Sequence, residues 1–159
     1  MKKYLSILLF LFLGIGAYAQ SANVITEILN SPAATFGQVC YLSAVHQNLI
    51  DEGASYEDAV SALYQNNQIS QIIDVEKNIS IIDAAHIYSF MWNVNGGLMY
   101  RLTKGSPRYV FRQFQADGII PSDVEPASLL SGSGALSLYT SCLRRYGDFD
   151  VAAVDMGAN

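Results

Sequence analysis

Three helix-start signals, evenly spaced along the chain, constrain its fold more than any other feature. Thr35, Asp83 and Ser131 lie 48 residues apart (83 − 35 and 131 − 83), and each follows an apolar or small residue. A side-chain oxygen at such a position can accept a hydrogen bond from the free amides of a first helical turn. A signal that recurs at this spacing is typical of repeat proteins, so we predict three tandem units.

Each unit is predicted to contain two helices joined by a loop. In the second unit, Ser106 followed by Pro107 places a capping side chain before a proline at the first helical position. The matching signal in the first unit is Ser55, 51 residues earlier (106 − 55). The segment 98–104 has no counterpart in the first unit, and we treat it as a helix continuation or as an insertion. No second helix follows the first helix of the third unit, so that unit is predicted to be incomplete.

The predicted fold is therefore mainly α, with the units spanning residues 33–146 and packed around their first helices. The first helix of the second unit is apolar almost all round, which places it at the centre. Its large apolar side chains are Ile87, Tyr88, Phe90, Met91, Trp92 and Val94.

The first nineteen residues have the pattern of a secretory signal peptide. Lys2 and Lys3 precede an apolar run, and residues 17–19 form a small-x-small cleavage site. The run is too short for a membrane-spanning helix. We therefore expect an exported protein, periplasmic or associated with the cell envelope, without a transmembrane segment in its mature chain. Residues 20–32 are expected to form an N-terminal strap or a half-unit helix, and residues 147–159 a flexible tail.

The charge balance argues against two classes of partner. The chain has 9 Lys and Arg against 14 Asp and Glu, and loss of Lys2 and Lys3 with the signal peptide would make it more acidic still. Nucleic acid and anionic membrane surfaces repel such a protein. We expect no nucleic-acid partner.

The order of the signals resembles the S-layer homology domain, whose repeats usually occur in threes. A capped helix is followed by a Ser-Tyr or Ser-Pro helix, then by Gly-Ile-Ile and a proline-bearing loop that leads to the next capped helix. The best-matching segments are residues 34–44 with 56–69, and residues 108–121 with 130–143. The resemblance implies attachment to cell-wall polysaccharide or peptidoglycan. The family's first helix opens with a Thr-Arg-Ala-Glu-like motif, in which the Arg binds an acidic glycan. The corresponding positions lack Arg in every copy: Thr35-Phe36-Gly37-Gln38, Asp83-Ala84-Ala85-His86 and Ser131-Gly132-Ser133-Gly134.

Cations are concentrated elsewhere in the chain. Arg101, Lys104, Arg108 and Arg112 fall within twelve positions, and the two last share a helix face. Binding a glycan carboxylate requires a cation, so this cluster is a candidate site for an anionic glycan or an acidic partner. The alternative is a solvated face that balances nearby acids.

Cys40 and Cys142 are the only cysteines, and both belong to predicted first helices. An exported compartment permits a disulfide between them. The bridge would close nearly the whole domain and contribute about 4 kcal/mol to stability. The alternative is a pair of buried thiols that do not face each other.

No motif for catalysis, metal binding or a cofactor is present. His46 and His86 are the only histidines, and no His-x-x-x-His, Cys-x-x-Cys, phosphate loop or nucleophile elbow occurs. We predict no enzyme activity, no metal and no cofactor, with each histidine at the edge of a packed helix. Several aromatic side chains can either line a binding groove or fill the core: Tyr88, Trp92, Tyr100, Tyr109 and Tyr139.

The sequence thus predicts a non-enzymatic envelope module that attaches to wall polymer or to another envelope protein. The alternative is a structural subunit of an extracytoplasmic assembly without glycan binding. The oligomeric state is left open.

Overall fold

The structure is a computed structural model, and it describes residues 23–92, 94 and 96–147. The predicted signal peptide, residues 20–22 of the predicted strap and residues 148–159 of the predicted tail lie outside the described residues. The described part of the chain forms seven helices and contains no strand, so the mainly α prediction is confirmed. The helices are α1 (23–30), α2 (Phe36–His46), α3 (Tyr56–Gln65), α4 (Ile81–Tyr88), α5 (Leu98–Leu102), α6 (Pro107–Ala116) and α7 (Gly132–Tyr146).

The helix-start predictions are confirmed at two of the three evenly spaced positions. Thr35 caps α2 and Ser131 caps α7 through their side-chain oxygens. The prediction for Asp83 is wrong, because the side chain that caps α4 belongs to Ser80. Asp83 lies in the first turn, where its carboxylate accepts a hydrogen bond of 2.6 Å from the Ser80 hydroxyl. The earlier start brings Ile81 into the helix and buries it in the core.

The starts of α2, α4 and α7 meet in a closed ring of backbone hydrogen bonds. The amide of Ala34 donates to the carbonyl of Leu130 (2.7 Å), Ile79 donates to Ala34 (3.0 Å), and Leu130 donates to Ile79 (3.2 Å). Ala34 and Ile79 are fully buried. Buried backbone groups need such partners, and the ring provides them without forming a sheet. It holds the three helix starts around one point.

Helix α4 is the centre of the molecule, as the sequence predicts. It packs against α2, α6 and α7, and its Tyr88 side chain is fully buried. The helix is shorter than predicted, because it ends at Tyr88, and residues 90–92 lie in the turn that follows.

The second helices also begin where the sequence predicts. Helix α3 follows its cap Ser55 and packs on α2, whereas α6 begins at Pro107 and packs on α4. The prediction of a capping side chain at Ser106 is wrong, because that side chain makes no cap hydrogen bond; the proline marks this start through its fixed φ. The segment 98–104 does not continue α4. It contains the separate five-residue helix α5, which contacts α6.

Helix α1 and the residues after it lie against the start of α7. Ile28 is fully buried, and the amide of Gly132 donates to the carbonyl of Ser31 (2.9 Å). Equivalent bonds join the first residues of the other two central helices to the segments that follow α3 and α6: Phe36 to Lys77 (2.9 Å) and Ile81 to Ser128 (2.8 Å). The start of α7 is therefore covered from the opposite end of the chain.

No helix within the described ranges has both the length and the apolar character that crossing a membrane requires.

Candidate functional site

A groove of about 330 Å³ lies between α5 and α6. Its walls combine aromatic, aliphatic and cationic side chains with a glycine backbone: Gly97, Leu98, Met99, Tyr100, Tyr109, Arg112 and Gln113. We call this the α5–α6 groove.

Local contacts hold α5 against α6 at this groove. The amide of Gly97, which precedes α5, donates to the side-chain oxygen of Gln113 on α6 (3.0 Å). The Tyr100 ring lies over Gly96, where an added Cβ would come within 2.1 Å of the ring. Gly105 closes the turn after α5 with a φ of 70°, a left-handed conformation that glycine adopts without strain. The glycines on either side of α5 therefore position the Tyr100 side chain.

The four predicted site cations belong to α5, to α6 or to the turn after α5, and one of them lines this groove. Arg112 lines it, Arg108 lies one helical turn before Arg112 on α6, Arg101 belongs to α5, and Lys104 follows α5. All four are exposed.

None of these cations forms an ion pair with an acid in the described ranges. There, the one ion pair joins Arg145 to Asp117 (3.4 Å), on another part of the surface. Arg101 instead donates from Nε to the carbonyl of Gly96 (3.2 Å). The alternative of a face that balances nearby acids thus has no ion pair to support it within those ranges.

Exposed apolar side chains adjoin the cations. Leu98 is 73% exposed and Leu102 is 68% exposed, and no residue of α5 is buried. Exposed apolar groups that lie together mark interaction sites more often than isolated ones do. We call the groove residues together with Arg101, Leu102, Lys104 and Arg108 the α5–α6 surface.

The sequence predicts the cations of this surface and offers Tyr100 and Tyr109 as groove residues, but Leu98 and Leu102 were not predicted. Leu98 and Leu102 are four positions apart, a spacing that places both on one side of a helix. This spacing, directly after Gly96 and Gly97, is the sequence signal that indicates a separate short helix with an apolar side.

A second groove, of about 320 Å³, contains His86. Its lining is mostly apolar: Phe36, Ile69, Ser70, Ile73, Asp83, His86, Ile87 and Pro107. Burial lowers the pKa of His86, against smaller opposing effects of the Asp83 charge and a backbone hydrogen bond with Gly105. Nδ1 of His86 is buried and has no hydrogen-bond partner in the described part of the chain. A single carboxylate, that of Asp83, lines this groove beside His86.

His46 belongs to a separate aromatic cluster. Its Nδ1 lies 2.9 Å from the Tyr139 hydroxyl, and its ring centre lies 4.9 Å from that of Trp92. Burial lowers the pKa of His46. The position of His46 is therefore explained by its packing against Trp92 and Tyr139. Among the described residues, no cluster of three or more His, Cys, Asp or Glu side chains is arranged to hold a metal ion.

The disulfide considered for Cys40 and Cys142 is not formed in the structure. Both thiols are free and buried, and burial raises the pKa of each to about 12. Helix α4 packs against both α2 and α7, which carry the two cysteines. Burial raises the pKa of the Tyr88 hydroxyl, and the charges of Cys142, Tyr139 and Cys40 raise it further. The structure thus contains two free, buried thiols, one on α2 and one on α7.

The predicted aromatic residues divide between core and surface. Tyr88 fills the core, Trp92 and Tyr139 pack with His46, and Tyr100 and Tyr109 line the α5–α6 groove. Only the last two are placed to contact a ligand there.

No protein-family model, curated protein or solved structure matches this chain.

Proposed function

We propose that this protein is an exported, non-enzymatic module of the cell envelope. Its α5–α6 surface attaches it to an anionic wall polymer or to an acidic envelope protein. One observation carries the proposal: four exposed cations without an ion pair in the described ranges lie beside an aromatic groove, in a chain with a net charge of −5. An acidic chain that concentrates cations on one face presents that face to anions.

The side chains of the surface suit a polymer that carries carboxylate or phosphate groups. The Arg108 and Arg112 guanidinium groups can each bind such a group with two parallel hydrogen bonds. Tyr100 and Tyr109 supply flat faces for the body of a sugar. Because the cations are exposed, each contact is modest and weakens as salt is added.

The arrangement of the helices supports a link to S-layer-homology-like repeats. Three helix starts joined by a backbone ring suit three related units, and the contacts of α1 with α7 supply the third unit with a second helix from the N-terminal side. With Ser80 as the cap of α4, the positions equivalent to the family motif are Ser80-Ile81-Ile82-Asp83, which again lack Arg. The cations of the α5–α6 surface would then take the role of that Arg.

A pull-down with purified peptidoglycan and its attached anionic polymer tests the proposal. Wild type is compared with Arg108→Ala/Arg112→Ala and with the control Lys77→Ala/Arg144→Ala. The control removes the same charge from exposed positions outside the α5–α6 surface. We expect the first variant to bind about tenfold more weakly, because two exposed charge contacts together contribute on the order of 1–2 kcal/mol. Equal binding by both variants, unaffected by salt, would refute the polymer proposal.

The structural-subunit alternative is favoured by the exposure of Leu98 and Leu102. In that case the purified protein should associate as its concentration rises, and Leu98→Ser/Leu102→Ser should reduce the association. Light scattering that shows a monomer throughout a wide concentration range would argue against it.

A further inference from the structure

We propose that residues 148–159 of this chain dock on the α5–α6 surface and compete there with its anionic partner. The competition rests on the proposed function, whereas the docking does not.

The composition of the segment matches that of the surface. Three of its twelve residues are acidic, and none is basic: Asp148, Asp150 and Asp155 are the acids. Its larger apolar side chains alternate with or follow these acids: Phe149, Val151, Val154 and Met156. The α5–α6 surface presents the complementary set, with four exposed cations and the exposed apolar side chains of α5. Opposite charge and apolar contact therefore act together in this pairing.

The chain leaves α7 close to this surface. The Tyr146 hydroxyl, at the end of α7, donates to Oδ2 of Asp117 (2.5 Å), and Nε2 of Gln113 donates to the same oxygen (2.9 Å). Oε1 of Gln113 accepts from the amide of Gly97 at the edge of the groove (3.0 Å). Three hydrogen bonds thus connect the end of α7 to the α5–α6 groove.

The segment is long enough to cover the surface. Twelve extended residues span about 40 Å, several times the width of a helix. A short tether also gives the segment an effective concentration on the order of millimolar at a neighbouring surface. A weak contact is sufficient for occupancy at that concentration.

The other basic surface near the end of α7 suits the segment less well. A groove of about 210 Å³ there is lined by Asp117, Gly118, Ile119, Ser141, Arg144 and Arg145. Arg145 already pairs with Asp117, whose carboxylate would repel an acidic segment. Ile119 is its one large apolar residue and is only partly exposed.

Cysteine cross-linking in the full chain tests the docking without any polymer. The test variant carries Leu98→Cys and Val151→Cys. The control carries Ile72→Cys and Val151→Cys, because Ile72 is similarly exposed (66%) but lies in the connection between α3 and α4. Cys40 and Cys142 are buried with pKa values raised to about 12, so they react slowly with an oxidant.

Under mild copper–phenanthroline oxidation, we expect the test pair to form a disulfide at least about tenfold faster than the control pair. Adding Asp148→Asn, Asp150→Asn and Asp155→Asn to the test pair should lower its rate to that of the control. Mass spectrometry of the intact chain measures both rates. Equal rates for the two pairs would overturn the docking, and a fast rate that survives the three Asp→Asn changes would overturn its electrostatic basis.

The same Asp→Asn changes separate this proposal from the proposed function. If both hold, the three Asp→Asn changes should increase retention on wall polymer, and Arg108→Ala/Arg112→Ala should weaken it about tenfold. If the function proposal fails, no variant is retained on polymer, and the cross-linking result still decides whether the segment docks.

Discussion

Gly132→Ala probes the contact that joins the two ends of the described chain. A Cβ added at Gly132 would lie 1.6 Å from the carbonyl oxygen of Ile28 and 3.1 Å from Cβ of Ser31. Both neighbours belong to the segment that begins with α1, and the closer atom is backbone. The substitution therefore cannot be accommodated unless α1 moves away from α7.

The loss of folding stability follows from the contacts between α1 and α7 that this movement would break. Ile28 is fully buried, and exposing its side chain costs about 1.5–3 kcal/mol. The hydrogen bond from Gly132 to Ser31 contributes about 1 kcal/mol. Alanine in a helix recovers up to about 1 kcal/mol relative to glycine. We expect Gly132→Ala to lower the free energy of unfolding by about 2–3 kcal/mol.

Gly134→Ala is the matched control, two residues further along the same helix. Its added Cβ would meet the ends of side chains, at 3.2 Å from Oγ of Ser131 and 3.3 Å from Cδ2 of Leu130. We expect this variant to stay within about 1 kcal/mol of wild type, because the gain in helix propensity offsets a small displacement of the Ser131 cap. Urea denaturation of the full chain measures both. If the two variants differ by less than about 0.5 kcal/mol, the packing of α1 on α7 is refuted.

Two further predictions concern the histidines and the thiols. Burial lowers the pKa of His46 and His86, so the unfolded chain binds more protons just below its histidine pKa of about 6.5. The stability that the fold gains by keeping both histidines neutral is therefore fully present above pH 6.5. It is lost as the pH falls towards the pKa values of the folded state. Between pH 7 and 5.5 the free energy of unfolding should decrease less steeply in His46→Gln/His86→Gln than in wild type, as measured by denaturation at each pH; parallel curves would contradict this. Cys40 and Cys142 should react with a thiol reagent only after unfolding, since burial raises their pKa to about 12; no reaction in denaturant would instead indicate a disulfide.

Local chemistry explains which parts of the fold were predictable from sequence. Thr35, Ser55 and Ser131 cap helices as expected, because a capping side chain bonds to an amide only three residues away. Ser106 and Pro107 mark the start of α6 for an equally local reason, the fixed φ of proline. The evenly spaced signal failed at Asp83, where Ser80 and Asp83 both satisfy local rules. Burial of Ile81 against distant residues favours the earlier start.

The candidate site likewise combines features that the sequence predicts with features that depend on the tertiary structure. The cluster of cations from Arg101 to Arg112 is visible in the sequence, but their lack of ion partners in the described ranges and the exposure of Leu98 depend on how α5 lies on α6. The state of the two cysteines depended likewise on the position of α4.

The sequence by itself determined the helical class, the starts of α2, α3, α6 and α7, and the concentration of positive charge, because these follow from interactions within about four residues. Only the tertiary structure decided that α1 covers the start of α7, that Ala34, Ile79 and Leu130 close a backbone ring, and that the α5–α6 surface is both cationic and apolar. The hydrogen bonds of those features join residues as many as 101 positions apart (132 − 31). Their energies come from burial and from long-range backbone pairing, which no local pattern encodes.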